Sequence, residues 1–228
     1  MKFGVVIFPG SNCDMDIIYM LETIMQQKVV KLWHKDTNLK EVDFIILPGG
    51  FSFGDYLRSG AIAKFSPIMK EIIGFANAGG YVMGICNGFQ ILTEAGLLPG
   101  ALLHNDSHKF ICKNVYLKTI TNNSIVSNLC DSKKPLKIPI AHAEGKYYAD
   151  EKTQNSLINN DQILFKYCNE EGDVSSLANP NGSLLNIAGI CNKDRNVFGM
   201  MPHPERAADV ELFNQDGKLL FNSILKSI

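Results

Sequence analysis

A parallel α/β sheet with helices on both faces is the fold that the first hundred residues predict. Three observations carry the expectation. Short, wholly apolar runs alternate with stretches of helical spacing. Those runs show no polar side that could face water, so both faces of the sheet must be covered. Three of the connections that leave strand or strand-like runs are rich in glycine, at Pro9, Pro48 and Gly84. In open parallel sheets ligands bind beyond the carboxyl ends of the strands, so the site is expected there.

The elements follow in order. Residues 3–8 form a continuous apolar strand closed by Pro9-Gly10-Ser11-Asn12. From Asp14 to Met25, Ile17, Ile18, Leu21, Ile24 and Met25 recur at helical spacing. Residues 29–33 and 44–47 are the second and third strands, the latter ending at Pro48-Gly49-Gly50. A helix is predicted over 66–76, stopped by Gly79-Gly80. Residues 81–83 then run as a strand into Gly84-Ile85-Cys86-Asn87-Gly88 and a short helix to Ala95. Beyond Phe110 the pattern changes to strand-like runs, such as 111–120 and 184–191, separated by Asn, Asp and Gly turns. Residues 218–226 close the chain as an amphipathic helix.

Bulk properties narrow the function. Nothing in the composition marks a boundary, so residues 1–228 are expected to form a single domain. A formal charge of −1, with no long basic or acidic run, argues against a nucleic-acid partner, because phosphate-tracking surfaces need clustered Lys and Arg. The apolar opening stops at Pro9-Gly10, too soon for a signal peptide or a membrane span, and no later run is long enough to span. A cytoplasmic protein that binds no membrane is expected. The six cysteines include no CxxC pair, which speaks against a zinc ribbon or a dithiol redox motif, and no metal site is expected.

Two segments carry chemistry. Gly84-Ile85-Cys86-Asn87-Gly88 has the G-x-nucleophile-x-G form of a nucleophile elbow, with Cys in place of Ser. Its sharp turn requires small residues two before and two after the nucleophile. The helix that follows presents its positive dipole end and free N–H groups near Cys86, favouring thiolate. An inert thiol buried between strand and helix is the competing reading of this motif alone. The second segment is Met201-Pro202-His203-Pro204-Glu205-Arg206. Pro204 biases His203 toward extended backbone, in which residues i and i+2 share a side, so Glu205 can orient the imidazole. With Cys86 as the group that His203 activates, the three make a triad. By itself the second segment reads equally as a stiff loop with a surface His; the pair of motifs decides.

The turn Pro48-Gly49-Gly50 can present N–H groups to an anion, so Gly50 and the N–H of Asn87 are the candidate oxyanion hole. It is no phosphate loop, because Asp55-Tyr56 follows Gly54 where Lys-Ser or Lys-Thr is needed. Gln90, one helical turn past Cys86, is placed to meet a substrate's polar end. The clusters Asn105 to Phe110 and His142 to Tyr147 read from periodicity alone as polar loops.

These residues together resemble class I glutamine amidotransferases. More narrowly, the stretch Gly49–Ala63, the Asn105-x-Ser107-x-Lys109-Phe110 and His142-Ala143-Glu144-Gly145-Lys146-Tyr147 elements, and Met201 to Arg206 are similar to the small subunits of phosphoribosylformylglycinamidine synthases. The resemblance covers the whole chain in the family's order. Lys109 and Lys146 stand where Arg is frequent, which keeps the charge and loses bidentate geometry. What it implies is a flavodoxin-like domain with a mostly parallel central sheet that hydrolyses L-glutamine to glutamate and ammonia. Asn105 and Ser107, with Gln90, become candidate substrate-binding residues on the same ground. No cofactor is implied on this chain; ATP and magnesium belong to a large synthetase subunit, which the family assembles with a small accessory subunit. A Cys peptidase or deglycase of similar topology, a non-catalytic docking subunit and another amidotransferase branch are the rival readings.

Overall fold

The computed structural model describes all 228 residues. Its centre is a nine-stranded sheet in the order β2-β1-β3-β4-β11-β10-β9-β6-β7. The first half is the predicted one: β1 (Lys2–Ile7), β2 (Lys28–Trp33), β3 (Phe44–Leu47) and β4 (Tyr81–Ile85) are parallel, and β11 (Val197–Met200) joins them in the same direction beside β4. In β3 and β11 every residue is buried, as in β4 from Val82 onward, which means both faces are covered. Between these strands run α1 (Asp14–Tyr19), α2 (Pro67–Asn77) and α3 (Asn87–Glu94). The predicted helix over 14–25 is α for its first part and then widens into a π turn over Met20–Ile24.

The second half departs from the parallel pattern. Past β11 the sheet continues antiparallel through β10 (Ile187–Cys191), β9 (Ile163–Cys168), β6 (Ile111–Thr119) and β7 (Leu136–His142). Only the last part of the run expected over 184–191 is a strand; Leu184–Asn186 is a 3-10 turn with Leu185 in left-handed backbone. Pro139 sits inside β7, which is possible because β7 is an edge strand and no outer neighbour needs the missing N–H. The cluster read as a loop over 142–147 is structured at both ends: His142 closes β7, and β8 (Lys146–Tyr148) pairs with β5 (Ala101–Leu103) in a separate ribbon. α4 (Glu151–Asn159), capped by the Asp150 carboxylate on the Thr153 N–H, and the closing α5 (Lys218–Ser227) complete the chain. No helix is long and apolar enough to cross a membrane.

Register places the site. Leu47 pairs with Gly84 and Gly84 with Gly199, so the turns after β3, β4 and β11 emerge side by side. The turn after β1 joins them through an isolated bridge between Ser11 and Gly50.

Candidate active site

Cys86 stands at the junction of β4 and α3 with φ +51° and ψ −107°, a conformation that a non-glycine residue holds only when its surroundings enforce it. The enforcement is packing. A Cβ on Gly84 would lie 2.5 Å from the Gly88 carbonyl, and one on Gly88 would lie 2.0 Å from the Leu47 carbonyl oxygen. Glycine at both positions lets the turn close against β3. The Cys86 N–H is fixed by the Met200 carbonyl at 2.8 Å, and the side chain is buried beside the Ala141 carbonyl.

His203 leaves β11 in backbone close to but short of the extended conformation, φ −100° and ψ 88°, and donates its N–H to the Pro139 carbonyl at 2.8 Å. Glu205 does not continue that extension. Pro204, with its fixed φ, starts a 3-10 turn over Pro204–Ala207, and Glu205 meets the imidazole from within the turn. The contact is close: His203 Nδ1 lies 2.7 Å from Glu205 Oε1, with both side chains out of water. His203 Nε2 has no partner within the chain. A Cβ at Gly49 would lie 2.6 Å from His203 Cε1 and 3.3 Å from Cys86 Cβ, so thiol and imidazole converge on the same small volume. Burial works against a charge on His203, yet the Glu205 and Cys86 charges outweigh it and hold the imidazole pKa well above the ordinary value.

Gly50 adopts φ +129°, and a Cβ there would lie 2.6 Å from the Asn12 nitrogen, so no larger residue fits. The chain leaves the backbone N–H groups of Gly50 and Asn87 without internal acceptors. The Asn87 side chain has a further part that the motif did not reveal. Its Oδ1 accepts from the Ser52 N–H at 3.1 Å, and its Nδ2 lies 3.3 Å from Asp55 Oδ1 and 2.9 Å from Gln90 Oε1. One residue therefore ties the 50–55 loop to the nucleophile's helix.

Gln90 faces the site from α3 but is engaged at both ends, by Asn87 and by the Glu144 carbonyl at 2.6 Å. Asn105 is wholly buried, and its amide is used four times: Oδ1 meets His142 Nδ1 and the Gly145 N–H, while Nδ2 reaches the carbonyls of Lys109 and His142. In this structure it supports the 142–145 turn instead of offering a free amide. Ser107 is exposed, accepts from the Lys109 N–H, and does not line the cavity.

That cavity is narrow, about 50 Å³, and is bounded by Gly50, Asp55, Cys86, Gln90, His142 and Glu144. A wider one of about 330 Å³ adjoins it through Glu144 and is lined by Arg58, His104, Asp106, His108 and Lys146. Four side chains here escaped the sequence reading as site residues: Asp55, Glu144, His142 and Cys13. Asp55 is pushed up to about 6 by burial, with the Glu144 charge adding to the effect and hydrogen bonds from Ser59 and Asn87 opposing it. His142 is pushed down to about 4 by burial and the neighbouring His203 charge, so it stays neutral. Cys13, buried at the entry to α1, lies with His203 and Glu205 in a cluster whose ligating atoms fall within 4.8 Å of one another. Such a trio could hold a thiophilic cation, but the Arg206 guanidinium already occupies the thiol at 3.2 Å and brings its own positive charge. Asp55 and Glu144 carried no periodic signal; Cys13 carried none beyond following a glycine turn.

The residues thus unite a constrained thiol, a carboxylate-held imidazole and two unspent N–H groups, the parts needed to attack a carbonyl and hold the resulting oxyanion. Comparison with known proteins agrees with that chemistry. A family model described as a CobB/CobQ-like glutamine amidotransferase domain matches residues 1–218. The phosphoribosylformylglycinamidine synthase subunit PurQ of Moorella thermoacetica is 55% identical over 225 residues, 99% of this chain and 95% of that one. The PurQ subunit of a Nostoc species is 51% identical, covering all of this chain and 98% of its own. A solved structure described as PurLQS from Thermotoga maritima superposes with a TM-score of 0.86 at 43% identity, over 99% of this chain and 97% of that one. The chain belongs to the glutamine amidotransferase family, on the branch formed by the PurQ subunits of phosphoribosylformylglycinamidine synthase.

Proposed function

We infer that this chain is the glutaminase subunit of phosphoribosylformylglycinamidine synthase. One observation carries the reading: the buried His203–Glu205 pair at 2.7 Å converges on a Cys86 elbow, in a chain that PurQ subunits match end to end. The Cys86 thiolate attacks the carboxamide carbon of glutamine, and the oxyanion is received by the N–H groups of Gly50 and Asn87. His203 as imidazolium protonates the departing ammonia, leaving a glutamyl thioester on Cys86. Neutral His203 then takes a proton from the water that cleaves the thioester, and glutamate leaves. Glu205 holds the ring tautomer and supports its charge. Gln90 shapes the cavity beside the substrate, and Asn105 acts through the turn it supports.

Ammonia passes to a large synthetase subunit of the PurL kind, where ATP and magnesium do their work; a small accessory subunit completes the complex in the cytoplasm. The Thermotoga maritima structure supports the first partner, since it is described as PurLQS and holds a chain 43% identical to this one. The whole chain acts as one domain, 1–228. The test is reconstitution with that synthetase. Cys86→Ser should abolish amidine formation from glutamine while leaving formation from added ammonium salt. Failure of the wild-type chain to support glutamine-dependent synthesis would remove the assignment.

A further inference from the structure

Arg206 follows Glu205 directly, and a guanidinium pairs readily with a carboxylate through its planar fork. Glu205 is open to such a pairing. Its Oε1 is bonded to His203, while Oε2 is buried without any partner. Arg206 nevertheless turns the other way. Its Nε and Nη2 both lie 2.9 Å from Asp16 Oδ2, and its Nη2 also donates to Cys13 Sγ at 3.2 Å. Both acceptors come from the start of α1, an element remote in sequence from the triad. Cys13 is fixed there by its own N–H on the Gly49 carbonyl, and a Cβ at Gly49 would lie only 3.1 Å from its sulfur.

We propose that Cys13 is a positioning residue: with Asp16 it latches the Arg206 guanidinium away from Glu205, so that this carboxylate serves His203 alone. Without the latch Arg206 is free to fold back onto Oε2. A shared Glu205 stabilises the imidazolium less, and a nearer guanidinium repels it. Both effects lower the imidazole pKa, and His203 loses its proton earlier as pH rises. The titratable groups acting on the ring are Glu205 from its own turn, Cys86 from the elbow, Cys13 from the start of α1 and His142 from β7, with Arg206 and Asp16 standing behind Cys13 and Glu205. Of these, only Arg206 carries a charge of the imidazolium's sign, because His142 is neutral. The latch rests on the triad reading, but its first test does not depend on the reaction.

The imidazole of His203 is titrated by NMR in the free full-length chain. Cys13→Ala should lower its pKa by about one unit, a tenfold change in the ratio of protonated to neutral ring at fixed pH. Cys13→Ser, which keeps an acceptor for Arg206, should titrate close to wild type. The decisive variant is Cys13→Ala combined with Arg206→Met: with the guanidinium gone there is nothing to latch, and most of the shift should be undone, leaving only what the thiol's own contact with the ring contributes. In the assembled enzyme the same series should move the alkaline limb of kcat for glutamine, with KM changing less than about twofold. An unshifted titration in Cys13→Ala would overturn the proposal, as would a shift that persists undiminished after Arg206→Met. Should Cys13→Ala fail to fold, Asp16→Asn loosens the other arm and must shift the titration in the same direction. An enzyme that proves inactive on glutamine, yet shows the latch by NMR, separates failure of the functional reading from failure of this one.

Discussion

Six cysteines share this chain, and their surroundings set them apart. Burial pushes Cys130, Cys168 and Cys191 up to about 11, so they stay protonated near neutral pH and make poor nucleophiles. Cys112 is exposed on β6, and Cys13 is engaged by Arg206. Cys86 shares its small volume with the carboxylate-held imidazole of His203 and, unlike Cys13, has no guanidinium on its thiol. A glutamine analogue with an electrophilic carbon should therefore label Cys86 and spare the other five, as read by peptide mass spectrometry; labelling elsewhere would sink the nucleophile assignment. His203→Ala should be about as damaging as Cys86→Ser, since members of a triad act as a unit. Glu205→Gln should be milder, roughly 10- to 100-fold in kcat, because the Gln amide oxygen can still accept from the ring's Nδ1–H and orient it. It removes the charge that raises the imidazole, so its alkaline limb should move to lower pH. A limb that stays in place would mean Glu205 only orients. The Cys elbow and the His-Pro-Glu segment stood out in the sequence because glycines lie two residues either side of Cys86 and prolines flank His203, residues with strong local geometry. Cys13, Asp55 and Glu144 were not, because what matters about them is contact across 30 or more residues, and periodicity is blind to that.

At the scale of elements, the informative piece is the turn after β3. Phe53, Asp55 and Leu57 all hold positive φ, and Asn87 fastens Ser52 and Asp55 to α3. Asp55 is raised from the usual 3.8 to about 6, mainly by burial. The sign follows: between those values the folded state holds a proton that the unfolded chain has released, so this group makes stability fall as pH climbs through the window. Above about 6 the whole cost is present. Asp55→Asn removes the charge while keeping the amide-to-Asn87 geometry, and should gain about 1 kcal/mol at pH 7 after discounting for partial exposure, with little gain at pH 4. Urea melts of both proteins at the two pH values check it; an equal gain at both would mean the carboxyl is not raised. The parallel half of the sheet was readable because buried parallel strands are unbroken apolar runs with glycine at their ends. The antiparallel half was readable only in part: the run over 111–120 is β6 and the end of 184–191 is β10, but β7 contains Pro139, β9 contains a lysine, and α4 is a polar helix with Leu157 its one buried residue. Their partners lie far along the chain, so nothing local announces them.

Taken as a whole molecule, a glutaminase that ran without an acceptor would lose glutamine and leak ammonia, so control belongs to the assembly. The structure offers a place for it. The segment proposed to carry one oxyanion donor hangs on Gly49 and Gly50, continues through left-handed backbone, and ends in a tip where Tyr56 is 71% and Leu57 79% exposed, with Phe65 nearby in sequence at 77%. Large apolar side chains left in water next to a site are suited to contact with a partner. A synthetase that packs on this tip pulls directly on the segment that carries the Gly50 N–H. Loss of one correctly aimed oxyanion donor costs roughly 100- to 1000-fold in rate, enough to work as a switch. The isolated chain is therefore expected to hydrolyse glutamine slowly, and the assembled complex loaded with synthetase substrates to be faster by about that factor. Leu57→Asp, at the tip and outside the triad, should weaken both assembly and activation while leaving the slow turnover of the free chain intact. Steady-state glutamate release by free chain, complex and loaded complex measures all three terms. Equal turnover in every state would make the loop a fixed wall of the site and place control elsewhere in the complex.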